Sequence, residues 1–365
     1  MNLRSEIFTT EEPRPDRQRR PSAPQGRRPQ TGGGQRTRRE KSLRVLRIFV
    51  IYAILGILLW WALRMVPFAE IWDALKGLEL WQFLTLLGLN ALVLAAMTAR
   101  WWAILRAGNP EIPFLQLVRY RLSVFGLSYF TPGPQVGGEP LQVIYLQRNH
   151  GLTFARATSA VIMDKLLEFL ANFVLLAIGL TAAFRVGLIT RSGTQAFGSL
   201  IPLAAILLWP LVHLVLLYQG KYPVSALMRA VMSLTKSQKW MRLIIVSERM
   251  AGGFTRRHPG ALLAALGFSL LAWAGMGAEY FVMAGFLQAH LTAGQTLAAL
   301  TASLLAFLMP LPGGLGALEA SQIYVMTAFG HSGAIGIGIS LLMRARDILN
   351  GGLGLLLASR GIRVQ

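Results

Sequence analysis

The sequence contains no cysteine, which excludes disulfides, thiol nucleophiles and cysteine-ligated metal sites. Its five histidines are scattered, without a pair four residues apart, and the glycine-rich segments lack the Gly-Lys-[Ser/Thr] sequence of a phosphate loop. We therefore expect no metal, no other cofactor and no ATP site. His213 lies in an apolar run, and we expect it to be a packed or interfacial side chain.

Charge is also scarce, and negative charge most of all. Charged residues make up 14% of the chain and hydrophobic residues 54%, with 16 acidic residues against 36 basic ones. The mean hydropathy is +0.49. Apolar runs of about 20 residues recur, and a helix needs that length to cross the hydrocarbon core. The composition predicts an all-α polytopic membrane protein.

The basic residues are concentrated beside the apolar runs. Thirteen of the 36 lie in residues 1–47, and eight more lie between Lys221 and Arg257. Loops on the cytoplasmic side of membrane proteins carry such an excess, and anionic lipid surfaces attract it. Although the net charge of +20 would also suit a nucleic acid, this distribution favours membrane lipids as the partner and no nucleic acid.

The chain divides into a tail and one membrane domain. Residues 1–42 are rich in Pro, Gly and Arg, and their composition predicts disorder. Residues 43–360 contain six predicted spans, at about 46–66, 82–105, 156–184, 196–219, 261–287 and 333–357. Loop charges place both termini in the cytoplasm of a cell-membrane protein. The basic loop 220–259 has apolar residues at helical spacing, which indicates an interfacial helix or a cytosolic helix packed on neighbouring loops.

The stretch "YFTPGPQVGGEPLQ" (129–142) interrupts this apolar pattern. Proline ends a helix and glycine lets the chain reverse, while the apolar arms on either side are short for a crossing. We expect a hairpin that enters from the cytoplasmic side and turns back within the membrane; two short or tilted spans are the alternative. Irregular backbone at membrane depth must be buried in protein or line a wet cavity.

The same pattern occurs a second time. "LSYFTPGPQVGGE" (127–139) aligns with "LAFLMPLPGGLGALE" (305–319). The loop charges give the two units opposite orientations, which predicts an inverted-topology repeat of the kind found in secondary transporters. Half-helix N-termini at such breaks suit a phosphate group. The predicted helix-break residues are Pro132, Pro134, Gly137, Gly138, Pro310, Pro312, Gly313 and Gly314.

Charged residues near or within the predicted spans are the candidate translocation residues. A charge at mid-membrane is costly, so it is paired or functional by default. Glu139 and Glu319 line a cavity or cap half-helices, and the remaining candidates form either a site or structural ion clusters. Glu279 is a weaker candidate, and for Arg119 and Arg121 reaching to the interface is preferred over holding a lipid phosphate. The full set is Glu139, Asp164, Lys165, Glu168, Glu319, Arg344, Arg346 and Asp347.

Four blocks resemble the lysylphosphatidylglycerol synthase transmembrane family, a flippase-like domain that also forms the N-terminal half of multiple peptide resistance factors. They are "TPGPQVGGEPLQ", "SAVIMDKLLEFL", "MPLPGGLGALEAS" and "LLMRARDILNGGLGLLL", and the resemblance covers about residues 43–360. It implies matches for Glu139, Asp164, Lys165 and Glu319. The family usually has arginine at the position of Lys165, and either Arg344 or Arg346 matches its last-span arginine.

The resemblance implies a lipid flippase that moves an aminoacylated or otherwise polar-headed lipid between leaflets. Full-length synthases of the family add a soluble aminoacyl-transfer domain, whereas this chain ends at residue 365, so we expect no enzyme activity and a separate lipid-modifying enzyme as partner. From the residues alone, an intramembrane transferase using Glu139 and Asp164 as acid and base, or an ion-coupled solute carrier, stay open. The oligomeric state is not predicted.

Overall fold

The computed structural model describes residues 76–108, 111–130, 138–188, 208–232, 238–309 and 314–361. The basic tail, the first predicted span and the break residues Pro132, Pro134, Gly137, Pro310, Pro312 and Gly313 lie outside this part of the chain. The described residues form eleven helices and no strand. In chain order they are α1 (Leu80–Arg106), α2 (Phe114–Phe130), α3 (Glu139–His150), α4 (Phe154–Arg185), α5 (Leu208–Tyr218), α6 (Pro223–Met232), α7 (Gln238–Arg257), α8 (Pro259–Phe286), α9 (Ala293–Phe307), α10 (Ala317–Ala328) and α11 (Gly333–Gly361).

Three of the described helices are long and apolar enough to cross a membrane, namely α1, α4 and α8 with 27, 32 and 28 residues. Local signals fix where they begin. Glu79 and Gln82 form a capping box at the start of α1, the Thr153 hydroxyl accepts from the Arg156 amide at the start of α4, and Pro259 opens α8. These helices match three predicted spans. Helix α11 has 29 residues but carries several charges.

The helices beside the predicted breaks are short. Helix α2 ends at Phe130 and α3 begins at Glu139, while α9 ends at Phe307 and α10 begins at Ala317. Gly314 and Gly316 have φ of +64° and +80°, which L side chains rarely adopt, so the chain redirects there. Helices α3 and α10 have 12 residues each, or about 18 Å, against a hydrocarbon core of about 30 Å.

Helix packing is closest where glycines let backbones meet. Helix α1 packs along α8, α2 along α11 and α4 along α9. A Cβ atom on Gly354 of α11 would lie 1.9 Å from the Leu122 carbonyl oxygen of α2, and one on Gly126 would lie 2.5 Å from the Gly351 carbonyl oxygen. Gly179 of α4 similarly faces Thr301 of α9. Small residues allow this approach in membrane helices, where packing and hydrogen bonds drive association.

The described part of the basic loop folds into two helices held by one carboxylate. Glu248 of α7 is buried and accepts hydrogen bonds from the backbone amides of Val224 and Ser225, at the start of α6. It also contacts His213 of α5, with 3.1 Å between Nε2 and Oε1. His213 is therefore a packed side chain, as expected, and α7 is anchored against α4 and α6.

Adding one methyl group to the α2–α11 contact should destabilise the protein. In Gly354→Ala the new Cβ meets backbone that cannot rotate away, and overpacking costs typically about 1–3 kcal/mol. Gly352→Ala on the same helix is the matched control, because nothing lies within 4 Å of its added Cβ. Thermal unfolding in detergent should show a lower Tm for Gly354→Ala than for Gly352→Ala. Equal Tm values would contradict the close contact.

Candidate functional site: a charged centre between the long helices

The first cluster of the charged centre is built around Asp164 of α4, which is fully buried. Its Oδ1 accepts a hydrogen bond from Arg100 Nε of α1 at 2.7 Å, and its Oδ2 accepts one from Arg121 Nη2 of α2, also at 2.7 Å. Both arginines are buried as well. One carboxylate thus binds two guanidinium groups and joins three helices.

The cluster continues one helical turn further along α4. Glu168 shares a face with Asp164 at a spacing of four residues and accepts from Arg100 Nη2 at 2.7 Å. Lys165 Nζ lies 3.0 Å from Glu168 Oε1 and 3.3 Å from Glu139 Oε1, at the start of α3. Lys165 thus pairs with a carboxylate three residues further along its own helix as well as with one on α3. The short helix α3 is thereby tied to the long helix α4.

A second cluster lies on α11 and its neighbours. Arg344 Nε donates to Glu319 of α10, and Arg346 Nη1 donates to Glu279 Oε2 of α8 at 2.9 Å. Arg346 Nη2 also lies 2.8 Å from Asp347 Oδ1. Glu319 further accepts from the Gly316 amide, so it caps α10 and binds Arg344 at once. The helix-cap interpretation of Glu319 is therefore confirmed, whereas Glu319 is not among the residues that line the cavity described next.

A cavity of about 230 Å³ lies between the two clusters. That volume is well above the roughly 15 Å³ that a single water molecule requires. Residues of α1, α2, α3, α4, α8 and α11 line it. Its charged lining is three carboxylates and three cations: Glu139, Glu168, Asp347, Arg121, Lys165 and Arg346. We call it the central cavity.

The central cavity also has polar and apolar surfaces. Asn350 Nδ2 donates to Asn90 Oδ1 at 3.1 Å, and both amides line the cavity. Gln142 lines it too, and no described residue forms a hydrogen bond with its buried Oε1. Apolar side chains such as Met97 and Met276 complete the wall. The arrangement can bind a group that carries both signs of charge.

The predicted site residues form two separate clusters and do not form a single one. Glu139, Lys165, Glu168, Arg346 and Asp347 line the central cavity, whereas Asp164, Glu319 and Arg344 do not but bind helices together behind it. Among the break residues, Gly138 immediately precedes α3, and Gly314 follows α9 in the left-handed conformation.

Sequence reasoning missed Arg100 and misjudged Arg121. The sequence favours an Arg121 side chain that reaches the interface. That expectation is wrong, because its side chain is 10% exposed and is paired with Asp164. Glu279 was ranked low yet pairs with Arg346. Helical spacing from the predicted span end would have placed Arg100 one turn or more inside, and this signal was available.

The ion pairs of Asp164 should be required for stability. In Asp164→Asn both buried guanidinium groups lose the carboxylate that they share, although Arg100 keeps Glu168, and breaking a buried pair in this way costs about 3–5 kcal/mol. Tm in detergent should fall clearly, and adding Arg121→Gln should recover part of the loss. Arg185→Gln, at the exposed end of the same helix, should change stability by about 1 kcal/mol or less. A fall as large in Arg185→Gln would contradict the assignment.

Two comparisons place the chain among known proteins. The sequence profile of the lysylphosphatidylglycerol synthase TM region matches residues 45–351. The chain is also 26% identical, over 323 residues, to the UPF0104 membrane protein PH1989 of Pyrococcus horikoshii, an alignment that covers 82% of this chain and 91% of that protein. No solved structure matches it significantly. The chain belongs to the family of the lysylphosphatidylglycerol synthase TM region and is a membrane protein.

Proposed function

We propose that this protein is an integral membrane lipid transporter that translocates a polar-headed lipid between the leaflets. The central cavity is the observation that carries the proposal. It places three carboxylates and three cations around about 230 Å³ of space between helices long enough to cross a membrane. Charges within helices of membrane length are by default paired or functional, and here ion pairs surround open space, which supports a role in binding. The headgroup would cross through the cavity while the acyl chains stay in the bilayer.

Reciprocal packing supports an inverted repeat of two four-helix units, α1–α4 and α8–α11. Helix α2 of the first unit packs along α11 of the second, and α9 of the second packs along α4 of the first. Because α2 would correspond to α9 and α4 to α11, these are equivalent contacts. Helices α1 and α8, each the first of its unit, pack against one another. A two-fold relation between the units accounts for all three contacts.

Matching charges within the two units also support the repeat. Lys165 is the twelfth residue of α4, counted from Phe154, and Arg344 is the twelfth of α11, counted from Gly333. Each binds the glutamate at the start of the short helix in its own unit, Lys165 to Glu139 and Arg344 to Glu319. Lys165 therefore corresponds to Arg344 and not to Arg346.

Further correspondences follow from the same alignment. Glu168 and Asp347 are both fifteenth in their helices, and both line the central cavity. A glutamine follows each hairpin glutamate by three residues, at Gln142 and Gln322, and both are buried. The sequence Glu-x-x-Gln thus occurs in each unit. The short helices α3 and α10, with about 18 Å of length, suit arms that turn back within the membrane.

The charge balance favours a headgroup that carries an ammonium group. The ion-paired residues of the two clusters comprise five cations and six carboxylates: Arg100, Arg121, Lys165, Arg344 and Arg346 against Glu139, Asp164, Glu168, Glu279, Glu319 and Asp347. The surplus carboxylate would accept a cation, and the arginines would accept a phosphate. We propose a lipid that bears both groups, such as an aminoacylated phospholipid supplied by a separate enzyme.

The proposed topology has both termini in the cytoplasm of a cell-membrane protein. The basic segment around α6 and α7 would then be cytoplasmic, and the uncharged turn after α8 would be external. Since the chain has no cysteine, single substitutions report the side directly. In intact cells an impermeant maleimide should label His290→Cys and spare Lys221→Cys until the membrane is opened; both positions are exposed. The reverse pattern would overturn the topology.

Lipid transfer in liposomes tests the function. We expect purified protein to move a fluorescent aminoacylated phosphatidylglycerol between leaflets, and we expect Glu139→Gln and Asp347→Asn to slow that transfer at least about tenfold, because each removes a cavity charge worth a kcal/mol or more. Arg185→Gln, which lies outside the cavity, should leave the rate unchanged. Transfer rates would be compared only among variants whose Tm shows that they are folded.

Each alternative outcome has a clear meaning. Equal movement of all lipids, insensitive to both cavity variants, would indicate nonselective scrambling and contradict the site. No transfer of the aminoacylated lipid, of phosphatidylglycerol or of a polyprenyl phosphate would overturn the transport proposal. Mass spectrometry of the recovered lipids would reveal covalent modification, and a modified product would favour an intramembrane transferase over a transporter.

A further inference from the structure

A second cavity within the described residues lies away from the charged centre. It has a volume of about 980 Å³ and is formed by the end of α1, the first turns of α4, and α7. None of its lining residues belongs to the central cavity. On the proposed topology it opens at the cytoplasmic face. We call it the basic cavity.

The charge of this cavity has one sign. Arg156 of α4, Arg249, Arg256 and Arg257 of α7, and His258 line it, and no carboxylate does. Arg256 donates only to neutral oxygens, the Tyr222 hydroxyl at 2.7 Å and the Gly252 carbonyl at 3.2 Å. Within the part of the chain that the structure describes, the side chains of the other three arginines form no ion pair or hydrogen bond. All four arginines are exposed at the opening of the cavity, and no carboxylate of the described residues pairs with them.

The contacts of Glu248 explain why no carboxylate of α7 pairs with the arginines of the basic cavity. This glutamate is the one acidic residue in the sequence of α7, which also carries five basic residues. Glu248 is buried against His213 and the amides of Val224 and Ser225, on the side that anchors α5 and α6. The one carboxylate of α7 therefore binds α5 and α6 and does not pair with the arginines of its own helix. Arg249, Arg256 and Arg257 of α7 line the cavity, and within the described residues none of the three forms an ion pair with a carboxylate.

The wall between the basic groups is apolar. Ile104, Met163, Met250 and Phe254 line the same space as the arginines. Guanidinium groups bind phosphate oxygens through paired hydrogen bonds, and apolar side chains beside them suit acyl or glycerol carbons. A soluble anion would contact the arginines only and would leave the apolar side chains without a ligand. The combination matches an amphiphile with an anionic head.

We propose that the basic cavity binds the phosphate of an anionic membrane lipid, with its apolar portion against the wall formed by α1 and α4. This site is separate from the central cavity in residues and in charge. A lipid with a phosphate but no ammonium group satisfies it, whereas the central cavity has groups for both signs. Binding requires no transfer between leaflets, so the proposal stands whether or not the protein translocates lipid.

Native mass spectrometry of the full chain in a neutral detergent tests the binding. Dioleoyl phosphatidylglycerol should bind more tightly than dioleoyl phosphatidylcholine, and the double variant Arg249→Gln/Arg257→Gln should weaken phosphatidylglycerol binding at least about tenfold, since two charge-assisted contacts are lost. Arg156→Gln, on the opposite wall, should weaken it too. Arg242→Gln is the matched control, being exposed on α7 but outside the cavity lining.

Competition separates the two sources of phosphate. Glycerol 3-phosphate and inorganic phosphate, at the lipid's concentration, should not displace phosphatidylglycerol; displacement would identify a soluble-anion site and overturn the lipid assignment. Equal weakening by Arg242→Gln would indicate diffuse attraction and would also overturn it, as would equal affinity for phosphatidylcholine. Glu139→Gln should retain phosphatidylglycerol binding, so a failure of transport and a failure of this site give different results.

Discussion

The high cost of burying charge is the constraint on which the rest of the structure depends. Asp164 is fully buried within a helix of membrane length, and such a carboxylate persists only with partners that replace water. Arg100 and Arg121 supply them from two other helices. Because each guanidinium group must reach the same carboxylate, the relative positions of α1, α2 and α4 are fixed. The second cluster does the same for α8, α10 and α11.

Charged side chains are ion-paired in the charged centre but largely unpaired in the basic cavity. In the charged centre each of the five cations pairs with a carboxylate, and the space between the clusters is polar without a large net charge. Among the described residues, no carboxylate pairs with the arginines of the basic cavity, because Glu248 binds His213 and the start of α6 instead. A paired site suits a group that must enter and leave, since neither sign is bound too strongly. An unpaired one suits retention of an anionic lipid.

Glycines and short helices also help to assemble the charged centre, because they let helices pack closely and position two of its glutamates. Close contacts at Gly354 and Gly126 bring α2 and α11 together without large side chains between them. The short helices α3 and α10 place Glu139 and Glu319 beside α4 and α11. Each glutamate lies in the first turn of its helix, where a carboxylate is favoured, so the same residue stabilises the helix start and binds its neighbour's cation.

The sequence by itself determined the helical membrane class, three of the long helices, the helix ends beside the two proline–glycine stretches, and most of the charged residues that form ion pairs between helices. Those follow from local rules, since hydropathy, proline and glycine act on the segment that contains them. Only the tertiary structure decided which charges meet: that Arg100 and Arg121 turn inward to Asp164, that Glu279 joins Arg346, and that Glu248 leaves α7 basic. Pairing across 43 to 68 residues of sequence depends on how helices pack, and no local pattern contains that information.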